Sequence, residues 1–124
     1  MLQERRGVDD VIVEGINAGA VGSSGGTGAD AVAAVDGGVC VATARAAWAP
    51  LVEAAPRWHV IAVGKAAAPM LRACLAGAPG PPATALLVAP STDASLPAMV
   101  EQLVGGHPVP THGSVAAGVR ALGI

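Results

Sequence analysis

Few residues in this chain are placed to do chemistry. Its only lysine, Lys65, follows Gly64 at the end of an apolar run, in "WHVIAVGKAAAPM" (58–70). A glycine at a strand end lets a ligand approach the backbone. The start of the next helix offers free N–H groups that suit an anion. An ammonium there adds a full positive charge. Lys65 is therefore either an ordinary helix-start residue or a cation aimed at a phosphate or carboxylate. The stretch is not a Walker A loop: nothing matches GxxxxGK[ST], and Ala66 stands where the Mg²⁺-binding hydroxyl would be.

A second constellation is "GGHPVPTHG" (105–113). Proline fixes its own φ and restricts the residue before it, so His107 is held in a stiff loop. It is either a turn histidine or a side chain presented to a ligand. His107 and His112 have no third ligand nearby, which argues against zinc, and no metal ligand is assigned. His59 falls inside a predicted strand and reads as structural. Asp93, in the loop after a later strand, is the one acid near the presumed ligand edge, and a solvated turn residue is the favoured reading of it. No nucleophile elbow, HExxH motif or close carboxylate pair is present.

The elements that must position these residues follow from the hydrophobic period. Residues 1–28 read as a flexible N-terminal extension holding a short Val/Ile run and a Gly/Ser tract of linker composition. Gly22, Gly25, Gly26 and Gly28 lack the G-x-G-x-x-G spacing of a dinucleotide loop. Small apolar residues at helical spacing predict helices over 29–35 and 39–54. Asp36 is placed to cap the second, Pro50 to bend or divide it, and Pro56 to close it. Residues 57–64 and 83–90 are short apolar runs, as in strands buried on both faces. Between them "KAAAPMLRACLAG" reads as a helix, with Pro69 in its first turn and Gly77 at its end. A further helix is expected over about 96–103, with Ser95 as N-cap and Pro97 near its start. A short strand near 103–105 is an option, and a last helix starts near Ser114. Strands alternating with helices predict an α/β fold: an incomplete Rossmann-like three-layer parallel sheet flanked by helices.

Composition narrows the function. The 124 residues suit one domain, 52% hydrophobic with two Trp, no Phe and no Tyr. The net charge is −2, no basic patch exists and no aromatic stacking platform is available, so no nucleic acid is expected as partner. No run approaches the roughly 18 apolar residues of a membrane span, and no membrane association is expected. Cys40 and Cys74 form no CxxC and read as small buried thiols of a reducing cytoplasm, a disulfide being the alternative. The expected location is cytoplasmic.

Taken together, "HVIAVGKAAAPM", "ATALLVAP" and "GGHPVPTHGSVAAGVRAL" resemble the N-terminal domain of the glycerate 2-kinase family, whose C-terminal part is the MOFRL domain. "AAVDGG" (33–38) matches the family's early A-V-D stretch. Gly64, Lys65, Ala66 and Met70 match its GKA segment, and Gly106–Pro110 its GHPVP segment. The resemblance covers residues 29–124, as a partial N-terminal domain. It implies ATP-dependent phosphorylation of D-glycerate to 2-phosphoglycerate, with ATP and Mg²⁺ as cofactors, their sites largely outside this chain. It makes Lys65 the active-site lysine, with Gly64 and His107 lining the same edge for the substrate. Family members often carry an acid after HPVP, where this chain has Thr111. Family proteins are several hundred residues long. The expectation is thus a fragment, inactive alone, whose partners are D-glycerate and the missing C-terminal domain. The alternative is a non-catalytic α/β binding module that needs a separate partner.

Overall fold

The computed structural model describes residues 10–14 and 36–124. Four strands form one parallel sheet in sequential order: β1 (Asp10–Glu14), β2 (Arg57–Val63), β3 (Thr84–Ala89) and β4 (Val100–Val104). In register, Val60 lies opposite Ala85 and Leu87 opposite Gln102. Four helices accompany them: α1 (Gly37–Thr43), α2 (Arg45–Ala54), α3 (Ala67–Gly77) and α4 (His112–Leu122). The α/β fold and parallel sheet are as expected. The expected helix over 29–35 and the Gly/Ser tract lie outside the described residues.

Strand alternation sorts the core onto two faces. Trp58, Val60 and Ala62 of β2 and Ala85, Leu87 and Ala89 of β3 join one cluster with Val41, Trp48, Val52, Leu71 and Cys74. α3 lies on β2 and β3, and α1 and α2 pack against α3. On the opposite face α4 lies against β3 and β4, where Leu86 and Ala117 are buried. The molecule is therefore three-layered. Leu71, Leu86 and Leu87 are fully buried, and each contributes about 1.5–3 kcal/mol relative to exposure. His59, buried within β2, is the structural histidine that its position suggested.

Three elements depart from expectation. The Val/Ile run at 11–13, expected within an extension, pairs with β2 as β1. The segment 39–54 is two helices, broken at Ala44 rather than at Pro50, which lies inside α2. Asp36 caps α1 as expected, its Oδ1 accepting from the Val39 N–H at 3.0 Å. The break leaves the Val41 carbonyl without a helical donor, and the indole Nε1–H of Trp48 donates to it at 3.0 Å.

The third departure is a correction. The helix expected over 96–103 does not form. Residues 90–99 are irregular, and Val100–Val104 is an extended strand paired with Ala85–Ala89. Leu96 drops into the core cluster from this connection. Ser95 caps no helix. Its N–H and hydroxyl both donate to Asp93 Oδ1, at 2.8 and 2.6 Å. Asp93 also pairs with Arg72 of α3, and its N–H donates to Gln102 Oε1 at 2.7 Å. Among the described residues, no helix is long and apolar enough to cross a membrane.

Candidate functional site

β2 and β3 end at one edge of the sheet, where their chains turn. After β2 the chain passes Gly64, whose φ of +112° lies in the region that favours glycine. The Gly64 N–H donates to the Val88 carbonyl at 2.9 Å, and its own carbonyl accepts from Ala67 N–H, the first residue of α3. Lys65 occupies the exposed turn between them. α3 begins at Ala67, two residues later than the sequence suggested, so Lys65 precedes the helix rather than opening it.

After β4 the chain forms the Gly106–Pro110 loop. The Gly105 N–H donates to the Ala89 carbonyl at 3.0 Å, which holds the loop's first strut against β3. The His107–Pro108 peptide is cis. Gly106 is packed so closely that a Cβ there would clash with the Val109 carbonyl oxygen. Ser114 in the first turn of α4 closes the loop. Its Oγ accepts from the Gly106 N–H at 2.9 Å and from the Thr111 N–H at 3.1 Å.

Between these two turns lies a cleft of about 330 Å³. Gly64 and His107 both line it, with Val63, Val88, Pro110 and Ser114. The structure thus brings together the two residues singled out for substrate contact, Gly64 and His107, without the active-site lysine. Lys65 is adjacent to Gly64 in the chain but is not part of the cleft wall. Its ammonium makes no ion pair with a described residue. Small residues, among them Gly105, Ala117 and Gly118, build much of the wall. His107 and Ser114 are its polar side chains.

Asp93 belongs elsewhere. Hydrogen bonds from Ser95, and then the charge of Arg72, hold its carboxyl below the usual 3.8. It serves as the knot between α3, the connection and β4, in keeping with a turn residue. Burial pushes the Cys74 thiol up to about 11, and no disulfide joins it to Cys40. Among the described residues, no three His, Cys, Asp or Glu side chains gather into a metal cage. No carboxylate lines the cleft, so a nucleotide-borne Mg²⁺ would take any protein ligand from residues other than these.

Ser114 was not singled out from the sequence. The signal was present as Thr111-x-x-Ser114 at a helix start, a spacing in which side chains satisfy free N–H groups. That the second N–H belongs to Gly106, across the loop, is visible only in the fold.

No curated protein and no solved structure matches the chain. One family model does, over residues 27–124: "Domain of unknown function (DUF4147)". Its span takes in α1 to α4, β2 to β4 and the whole cleft. The chain belongs to the DUF4147 family.

Proposed function

We propose that the cleft at the strand ends is the acceptor-side part of a kinase site that phosphorylates D-glycerate to 2-phosphoglycerate with ATP and Mg²⁺. The observation that carries this is the convergence of the Gly64-Lys65 turn and the Gly106–Pro110 loop at one sheet edge. These are the two segments on which the resemblance to glycerate 2-kinases rests. The DUF4147 domain is associated with the N-terminal region of MOFRL-type glycerate kinases, which supports the same reading.

In this reading the 2-hydroxyl oxygen of glycerate attacks the γ-phosphorus of ATP. The bond to the β–γ bridging oxygen breaks, ADP leaves, and the hydroxyl proton passes to base or solvent. Lys65 offsets negative charge on the glycerate carboxylate or the transferring phosphoryl group. Gly64 lets the ligand approach the backbone, and His107 contacts the acceptor.

The test is ADP production from ATP, Mg²⁺ and D-glycerate, coupled to a spectroscopic readout. It is run on the 124-residue chain alone and with the C-terminal domain of a MOFRL-type glycerate kinase supplied. Glycerate-dependent turnover in either arm, lost in Lys65→Ala, supports the proposal. Turnover equal to the no-glycerate blank in both arms refutes it.

A second reading, a binding module working with a separate partner, is favoured by the outer face of α4. Val115, Val119 and Leu122 are exposed there at helical spacing. It predicts no turnover in either arm, with the apolar face of α4 buried when the partner is supplied.

A further inference from the structure

We infer that Ser114 both positions the His107 loop and donates its hydroxyl proton to an anionic oxygen of the ligand in the cleft. A serine hydroxyl has two acceptor lone pairs and one donor. Both acceptor positions of Ser114 Oγ are taken, by the Gly106 and Thr111 N–H groups. Its O–H therefore keeps only the donor role, and no described residue accepts from it. Ser114 is half-buried and lines the cleft beside His107 and Gly64. A donor with fixed acceptor contacts cannot rotate to become an acceptor without breaking the loop closure.

The hydroxyl is thus a one-way group. It suits a carboxylate or phosphate oxygen and offers nothing to an N–H or ammonium. The small, apolar remainder of the wall contributes no competing acceptor side chain. The donor selects an acceptor oxygen, which on the proposed reading of the cleft is a carboxylate or phosphate oxygen of the ligand. The inference rests on the reading that this cleft binds the acceptor substrate, and its test separates the two.

The full chain, labelled with ¹⁵N, is titrated with D-glycerate and separately with inorganic phosphate. Amide shifts of Gly106 and Thr111 report the ligand, and their hydrogen exchange reports loop closure. Ser114→Asp keeps two acceptors for the loop amides but has no donor. Ser114→Ala removes the donor without adding charge. Ser114→Thr keeps both functions. Loss of a charged hydrogen bond is expected to weaken binding about tenfold or more in the Asp and Ala variants. The Thr variant should stay within about threefold of the parent. In Ser114→Asp the loop amides remain protected, which separates its loss of affinity from loop opening, and Ser114→Ala carries no added charge, which separates its loss from repulsion.

Parent-like affinity in either the Asp or the Ala variant overturns the inference. So does the absence of any Gly106 or Thr111 shift with both anions. Phosphate binding with the same variant losses, but no D-glycerate binding, supports the role of Ser114 while overturning the substrate assignment.

Discussion

The amide of Gly64 donates to the carbonyl of Val88 at 2.9 Å, one residue beyond the end of β2. This bond carries the β2–β3 ladder up to the point where the chain turns at positive φ. Lys65 therefore leaves the sheet from a fixed backbone, although its own side chain is exposed.

Lys65→Ala should leave thermal stability within about 0.5 kcal/mol of the parent, as for surface substitutions away from special features. Glycerate-dependent turnover should fall by about a hundredfold or more, because one charge that offsets the transferring group is gone. Parallel calorimetric melting and coupled assays check the split. A variant with normal turnover removes Lys65 from the site.

Gly106→Ala drives a Cβ into the Val109 carbonyl oxygen. The loop must open to admit it, and overpacking of this kind costs about 1–3 kcal/mol. Denaturant melts should show the loss. Faster hydrogen exchange at Thr111 should accompany it, since the Ser114 contact breaks with the loop.

Leu87→Ala removes a fully buried side chain from the cluster under α3. The expected cost is about 2–5 kcal/mol, read from urea unfolding. Leu51→Ala on the exposed side of α2 serves as the contrast and should change little.

Asp93 contributes a pH dependence. Its carboxyl titrates lower in the folded chain than its ordinary 3.8, first because Ser95 donates to it and then because Arg72 is near. A depressed folded value means stability that is present above the unfolded pKa and lost as pH falls through the folded one. Asp93→Asn should flatten the acid limb of the stability curve below about pH 4 and lower stability at neutral pH. An unchanged acid limb would show that the Ser95 and Arg72 contacts do not persist in solution.

Cys74 should resist thiol reagents. With its thiol pushed up to about 11, about one molecule in a thousand holds the thiolate at pH 8. Half-buried Cys40 should label first, and Cys74 only on unfolding. A folded pKa above the unfolded value stabilises fully below the ordinary 9.0, and that contribution is lost as pH rises through about 11. Mass-spectrometric labelling across pH 7–11 checks both statements.

Much of the fold was legible because β2 and β3 are short apolar runs and α3 carries Pro69 and Gly77 at its two ends. β4 was not. "PAMVEQLV" is rich in good helix formers, and Leu96, Val100 and Leu103 fall at helical spacing. Pairing with β3 overrides that preference. Glu101 on one face is held by Arg120 of α4, with Arg120 Nε 2.9 Å from Oε2, and Gln102 on the other by the Asp93 backbone. Those partners are nineteen and nine residues away, beyond any local period. The cleft was half legible. Gly64 and His107 could be named from their loops, whereas Ser114 acts through a hydrogen bond across a turn whose path the sequence does not spell out.

The distribution of the indoles has an optical consequence. Trp48 and Trp58 are the only aromatic residues, and both lie in the cluster on the α3 side of the sheet. Near-ultraviolet absorbance and intrinsic fluorescence therefore come wholly from that layer, with no tyrosine background. Emission will register melting of the α1–α3 layer directly, while a ligand settling against Ser114 and His107 on the other side arrives in the dark.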